Sequence, residues 1–361
     1  MKKVCLFACF VIGMASCNTK NNSYLITGEI FSETDSIIVL NNWYTSSDTT
    51  YIQNQRYVFS GTIDTFPKLV SIGFPYPSQK RARIILEPGE IRVDYFEETG
   101  FRIGGTENNV TLQKMVDEMK PFDELVSKTW RNWSQIYRDE YSNIRKRENS
   151  WDVMEYAKEI QREKLLLLIR KNPNYAGFVM SLGILRYESL DNLKTFIEEF
   201  EQFHNDRRFE SLKEQYEAAY YTSGHPVPEF TFPDPEGKMV SLSSFKGKWV
   251  LLDFWYDGCG WCKRLSPILK NIYYDWKDKK DFEIISISVD KEYERWIKGM
   301  KEENQPWIQV RDSTKTYPLK YAISGYPTLI LIDKEGNGVE KIIGFHEEGS
   351  LRRILEKHID K

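Results

Sequence analysis

Two cysteines separated by two residues are the side chains of this sequence best suited to chemistry, in the segment Cys259-Gly260-Trp261-Cys262. Residues 263–274 favour a helix, which places Cys259 at a helix N-terminus. Unpaired N–H groups and the positive end of the helix dipole favour a thiolate there. Cys262 follows one turn later, close enough to attack a mixed disulfide formed at Cys259. The spacing therefore predicts a nucleophilic thiol and a resolving thiol.

A zinc site is the alternative for this spacing, but structural zinc needs a second Cys or His pair. The histidines of the chain do not supply one, because none is paired at ligand spacing: His204, His225, His346 and His358. The sequence therefore predicts no metal, and no cofactor other than a redox-active disulfide.

The first residues of the chain have the pattern of an export signal. Two lysines precede an apolar run from Val4 to Ser16, which is shorter than the roughly 20 residues that span a bilayer. Met14-Ala15-Ser16-Cys17 resembles a bacterial lipobox, in which the cysteine is acylated as the signal is removed. We predict a signal peptide over 1–17, lipid attachment at Cys17 and a tether over 18–23. A cleaved signal without a lipid is the alternative.

Export would simplify the cysteine inventory. Cys5 and Cys9 leave with the signal and Cys17 is acylated, so Cys259 and Cys262 remain as the thiols of the mature chain. Exported proteins reside where disulfides persist. The predicted location is the cell envelope, with the protein anchored by lipid and facing the periplasm. The pattern leaves open whether the anchor lies in the inner or the outer membrane.

Composition limits the partners and the domain count. The chain has 361 residues, a formal net charge of −3 and a pI near 6.0. It lacks the basic footprint of a nucleic-acid-binding protein. Its length suggests two or three domains. We predict a β-rich domain over 24–106, a helical domain over 107–222 and a C-terminal domain over 223–361.

Short apolar runs between turn residues predict strands in the first of these domains: 24–30, 36–40, 57–61, 69–73, 82–86 and 91–95. Pro88-Gly89 between the last two runs predicts a hairpin. The pattern indicates a small sandwich or barrel. It resembles the β-rich domain of unknown function that precedes thioredoxin modules in bacterial lipoproteins, and it contains no catalytic constellation.

The middle of the chain has helical periodicity. Apolar residues from Leu112 to Leu125 recur at spacings of three and four, and Pro121 is expected to kink or interrupt that helix. Further helices are predicted over 151–171, 174–187, 191–204 and 208–221. An aromatic stripe is interpreted as packing, with a binding face as the alternative: Trp130, Trp133, Tyr137 and Tyr141. A proline-rich linker places the next boundary near residue 223.

Three blocks in the last third of the chain resemble thioredoxins. Residues 253–263 are similar to the active-site segment, 282–290 to the next central strand, and 324–333 to the cis-proline loop and its strand. The lead-in to these blocks and the long segment 291–312 resemble the membrane-tethered TlpA and ResA type. The resemblance implies an α/β thioredoxin-like fold with a central mixed sheet flanked by helices.

The resemblance also implies roles for individual residues. Asp253 takes the position of the buried acid; an apolar strand would raise its pKa and let it accept the proton of Cys262. A solvent-facing aspartate is the alternative. Pro327, if cis, would present the backbone of Tyr326 to an extended substrate segment. Trp261 is assigned to the same substrate-binding surface.

The residues around the two cysteines distinguish this chain from peroxiredoxins and from typical thioredoxins. Peroxiredoxins share the lead-in but place a proline and a threonine or serine where this chain has Leu252 and Tyr256, which argues against that class. Thioredoxins usually carry tryptophan at the position of Gly258, and Gly-Pro or similar at Gly260-Trp261. These departures affect the substrate surface and the reduction potential.

Together these features predict an extracytoplasmic thiol–disulfide oxidoreductase that acts as a reductase on protein substrates. It would receive electrons from a donor at the membrane. One alternative is a binding or scaffold lipoprotein with a redox-regulated thioredoxin-like module. Another is a disulfide isomerase.

Overall fold

The computed structural model describes residues 22–31, 37–42, 46–63, 67–76, 78, 80–139 and 143–360. The predicted signal peptide, Cys17, most of the predicted tether and Tyr141 lie outside the described residues. The chain divides into two compact units, Met1–Asn109 and Val110–Lys361. No helix within the described ranges is long and apolar enough to cross a membrane.

The described residues of the first unit form two four-stranded sheets, ordered β4-β1-β7-β8 and β3-β2-β5-β6. Its strands are β1 (Ser23–Phe31), β2 (Ile37–Asn42), β3 (Ser46–Tyr51), β4 (Arg56–Thr62), β5 (Lys68–Gly73), β6 (Arg81–Leu86), β7 (Gly89–Phe96) and β8 (Gly100–Gly104). Alternate side chains of β1 are buried, because successive residues of a strand face opposite sides. Apolar residues from both sheets share one core, as in a sandwich.

The predicted hairpin between β6 and β7 is wrong. β6 pairs with β5, whereas β7 pairs with β1 and β8, so the Pro88-Gly89 turn carries the chain from one sheet to the other. Ile84 of β6 and Ile91 of β7 are both fully buried in the shared core. Two strands with apolar faces can bury those faces against each other across a core as well as side by side in one sheet. The turn residues therefore located the break but did not determine the pairing.

The described residues of the region that follows form five α-helices: α1 (Glu107–Arg138), α2 (Ile144–Lys171), α3 (Tyr175–Ser181), α4 (Leu190–Glu199) and α5 (Arg207–Tyr220). Polar side chains cap the starts of α2 to α5 by accepting a backbone N–H, as N-cap residues do: Asn143, Asn174, Ser189 and Asp206. α1 continues through Pro121, although an interruption was one of the expected outcomes. Leu112, Met115 and Met119 of its predicted apolar face are buried.

The C-terminal part is built on a six-stranded sheet ordered β14-β13-β12-β15-β16-β9. The remaining elements are β9 (His225–Pro226), β10 (Thr231–Pro233), β11 (Met239–Ser241), β12 (Trp249–Trp255), α6 (Gly260–Trp276), β13 (Phe282–Ser288), α7 (Tyr293–Glu303), β14 (Ile308–Arg311), α8 (Thr316–Lys320), β15 (Thr328–Ile332), β16 (Asn337–Ile343) and α9 (Glu348–Ile359). β12 pairs in parallel with β13 and antiparallel with β15, so the sheet is mixed.

Both faces of this sheet are covered. Leu251 joins one apolar cluster, while Leu252 and Phe254 join another, because successive residues of β12 point to opposite faces. Such double burial explains the continuous apolar sequence of the strand. The mixed sheet with flanking helices is the expected fold of this region, and the expectation is confirmed.

The helical region packs directly on the C-terminal domain, and the two form one compact unit. Trp133 of α1 and Trp151 of α2 share a core cluster with Leu269 of α6 and Phe345, which follows β16. The proline-rich segment near residue 223 therefore joins two parts of one unit.

Candidate active site

Cys259 and Cys262 lie at the start of α6 and are joined by a disulfide bond. Cys259 is the N-cap residue of the helix, and its Sγ accepts a hydrogen bond of 3.1 Å from the backbone N–H of Cys262. After reduction, the same N–H and the positive end of the helix would favour a thiolate on Cys259. Both cysteines are buried, with 4% of Cys259 exposed. The geometry suits a dithiol–disulfide couple within a packed site.

The loop before Cys259 depends on the absence of a side chain at Gly258. Gly258 has φ +88°, the left-handed region in which a Cβ is strained. Asp257 is buried, and its N–H donates to Asp290 Oδ2 at 2.8 Å. Arg295 of α7 approaches the same loop, with Nη2 3.3 Å from the Asp257 carbonyl oxygen and Nε 3.6 Å from its Oδ2. Glycine therefore stands where thioredoxins usually carry tryptophan, and an arginine lies beside the loop that leads to Cys259.

The loop before β15 closes another side of the site. The Tyr326–Pro327 peptide bond is cis, as expected. Tyr326 packs against the apolar cluster that contains both cysteines and lies edge-on to Tyr256, with ring centroids 5.4 Å apart. Burial raises the pKa of the Tyr326 hydroxyl. The structure thus brings Tyr326 and the redox pair together.

Asp253 lies on β12 beneath this surface and is only 3% exposed. Burial raises its carboxyl pKa from 3.8 to about 6, and a hydrogen bond donated by Ser286 opposes part of that rise. Ser286 Oγ is 2.7 Å from Asp253 Oδ2, and Trp307 Nε1 donates to the same hydroxyl at 2.8 Å. The alternative of a solvent-facing aspartate is excluded. A carboxyl with this pKa can exchange a proton near neutral pH.

Trp261, between the two cysteines, is half-buried against the helical region. Its ring centroid lies 6.0 Å from that of Trp133, 6.2 Å from that of Trp130 and 5.5 Å from that of Phe345. The Arg264 guanidinium lies 4.5 Å from the Trp261 ring centroid. Part of the surface expected to contact substrate is therefore already occupied by residues of this chain.

Several residues of the site were not identified from the sequence. Ser286 donates a hydrogen bond to Asp253, and Trp307 donates to the Ser286 hydroxyl. Arg295 flanks the loop that leads to Cys259. Trp133 of the aromatic stripe is a packing residue, and its partner is the active-site helix, whereas Trp130 is 39% exposed. The aromatic stripe is the sequence feature that could have indicated this contact with the active-site helix. Within the described residues no cluster of acidic, cysteine and histidine side chains could hold a metal ion.

Comparison with known proteins agrees with this geometry. The thioredoxin-like family model matches residues 247–338. The thiol–disulfide oxidoreductase ResA of Bacillus cereus (strain ZK / E33L) is 35% identical over 148 residues, which cover 37% of this chain and 77% of that protein. The chain belongs to the thioredoxin-like family.

Other thioredoxin-like proteins are similar to about a third of the chain. A thioredoxin of Staphylococcus aureus (strain Mu50 / ATCC 700699) is 31% identical over 109 residues, covering 30% of this chain and 81% of that protein. The crystal structure of the thioredoxin domain of a Bacteroides vulgatus thiol–disulfide oxidoreductase is 37% identical; 37% of this chain covers 97% of that domain, with a TM-score of 0.34. The chain is a thiol–disulfide oxidoreductase with a thioredoxin-like domain.

Proposed function

We propose that this protein is a lipid-anchored, periplasm-facing reductase of disulfides in protein substrates. The observation that carries the proposal is the Cys259–Cys262 disulfide at the N-terminus of α6, with the Tyr326–Pro327 loop beside it. The resemblance of the sequence to the TlpA and ResA type supports the direction of reduction. The predicted export signal and the lipobox-like pattern at Cys17 support the location.

The reaction is two successive thiol–disulfide exchanges. The Cys259 thiolate attacks one sulfur of the substrate disulfide, which breaks that bond and releases the other sulfur as a thiolate. Cys262, deprotonated with the help of Asp253, then attacks Cys259 Sγ and releases the second substrate sulfur. Two electrons pass to the substrate, and the Cys259–Cys262 disulfide forms. Tyr326 would pair its backbone with the extended substrate segment.

The oxidised enzyme must then be reduced again. With Cys17 acylated and the signal removed, Cys259 and Cys262 are the thiols of the mature chain. We therefore propose a thiol donor at the membrane that supplies two electrons and two protons per cycle. The disulfide itself serves as the redox group, without a separate cofactor.

An insulin turbidity assay tests the proposed activity. With an excess of a small dithiol, the wild-type chain should accelerate precipitation of the insulin B chain, and Cys259→Ser should abolish the acceleration. Retained activity in Cys259→Ser would refute the mechanism. The reduction potential tests the direction: a value near −270 mV supports a reductase, whereas one near −120 mV would indicate an oxidase.

A further inference from the structure

A shallow groove of about 240 Å³ on α1 lies beside the redox site. The lining residues recur every four positions, which puts them on one face of the helix: Trp130, Arg131, Ser134, Gln135 and Arg138. Trp130 is 39% exposed and also contacts Trp261, with ring centroids 6.2 Å apart. The groove therefore begins where the active-site surface ends.

The charges around this groove are mainly positive. Arg131, Arg138 and Arg264 are exposed, and no ion pair between them and a carboxylate is found among the described residues. Arg264 extends over Trp261. Lys158 approaches Trp130 at 5.9 Å but is already paired with Glu155 at 2.9 Å. Asp139, directly after α1, is the acidic residue nearest in sequence to Arg138.

This combination of cations and indole rings resembles the centre of a protein-binding surface. Arginine and tryptophan are the side chains most enriched at such centres. A guanidinium presents a planar fork of N–H donors that matches a carboxylate. A carboxylate-bearing polypeptide would supply the carboxylate partners that the three arginines lack among the described residues, while its apolar atoms contact Trp130 and Trp261.

We propose that this arginine–tryptophan face, formed by Arg131, Arg138, Arg264, Trp130 and Trp261, binds an acidic segment next to the disulfide of a protein substrate. The proposal rests on the proposed function, since it names the substrate class of the same redox site. It makes α1 of the helical region a wall of the substrate-binding surface. That wall lies on the side of the redox helix that carries Trp261.

Charge-matched peptide substrates test the proposal on the full chain. Two peptides share one cystine loop, and their flanks carry either aspartate and glutamate or lysine. Wild type should show a higher kcat/KM for the acidic peptide, and the preference should shrink in 0.5 M salt because exposed charges are screened. In Arg131→Glu/Arg138→Glu the acidic-to-basic ratio of kcat/KM should fall about tenfold, since each exposed ion pair is worth about 0.2–1 kcal/mol and is replaced by repulsion.

The matched control is Lys171→Glu/Lys194→Glu, which makes the same charge change at exposed positions of α2 and α4. It should leave the ratio as in wild type. An unchanged ratio in Arg131→Glu/Arg138→Glu, or an equal fall in the control, would overturn the proposal. Hydroxyethyl disulfide separates the two claims: if wild type reduces it but shows no acidic preference, the recognition face is wrong and the reductase stands. If wild type reduces none of the three disulfides, the proposed function itself fails.

Discussion

The indole ring of Trp261 stacks on that of Trp133, with ring centroids 6.0 Å apart and planes inclined by 29°. One tryptophan lies between the two redox cysteines and the other is buried in α1 of the helical region. Trp133 Nε1 also donates to Glu347 Oε1 at 3.2 Å. The contact between Trp261 and Trp133 ties the active-site helix α6 to a helix more than a hundred residues earlier in the chain.

We expect Trp133→Ala to affect both stability and redox properties. Loss of a fully buried tryptophan should lower the free energy of unfolding by about 3–5 kcal/mol. It should also shift the reduction potential of the Cys259–Cys262 couple by about 15–30 mV, since 30 mV corresponds to about 1.4 kcal/mol. Urea unfolding and equilibration with glutathione measure the two quantities. Trp133→Phe should show a smaller change in both.

Phe209→Ala is the control for that experiment, because Phe209 is fully buried in α5 and has no ring contact with the redox site. It should lose a similar amount of stability and keep the wild-type potential. Equal potentials in all variants would show that the Trp133 contact serves packing alone.

Asp253→Asn should stabilise the fold at high pH. The folded-state pKa of Asp253 is about 6 against 3.8 for the free carboxyl, so the folded chain holds this proton more tightly than the unfolded chain. That contribution to stability is fully present below pH 3.8 and is lost as pH rises through about 6. The variant should gain about 3 kcal/mol at pH 8, at about 1.4 kcal/mol per pKa unit, and much less at pH 4. Urea unfolding at the two pH values measures this; an equal gain at both would contradict it.

The rate of disulfide exchange should depend on the charge of Asp253. Ionised Asp253 is the proton acceptor for Cys262 in the proposed mechanism, so the second step should accelerate as pH rises through about 6. Ser286→Ala removes the hydrogen bond that lowers the pKa of this carboxyl. The acid limb of the pH–rate profile should therefore move to higher pH. Ser288→Ala, two residues later on β13, removes a donor to Asp290 and should leave that limb in place. Stopped-flow pH profiles decide between these outcomes.

Cys262→Ser should trap the substrate on the enzyme. Cys259 can still attack the substrate disulfide, but no resolving thiol follows, so the mixed disulfide persists. Electrophoresis without reductant should show an adduct that a dithiol removes. Cys259→Ser should give little adduct. A stronger adduct from Cys259→Ser would reverse the assignment of nucleophile and resolving thiol.

Arg295→Gln should slow the attack by Cys259 at neutral pH. The exposed guanidinium lies beside the Asp257-Gly258 loop, and a nearby cation favours a thiolate. We expect a twofold to fivefold decrease, consistent with the small energies of exposed charges. Lys298→Gln makes the same charge change on the same helix, but Lys298 pairs with Glu302 of that helix and not with the Asp257-Gly258 loop, so it should have little effect. Alkylation rates with iodoacetamide measure both, and equal rates in all three proteins would remove Arg295 from the site.

The sequence by itself determined the redox pair, its place at a helix N-terminus, and the strand that carries Asp253. These features depend on local signals: a two-residue spacing, a continuous apolar run, and helical periodicity after it. The turn at Pro88-Gly89 was located in the same way. Each can be read over a few residues because local backbone preferences and the period of burial fix it.

Only the tertiary structure decided which surfaces meet. It placed Trp133 against Trp261, Ser286 against Asp253, and Arg295 beside the loop of Gly258. It also sent β6 and β7 into different sheets. A periodic pattern shows which face of an element is apolar, but any other apolar face of suitable shape can cover it. The choice depends on packing the whole core, and that is a property of the folded chain.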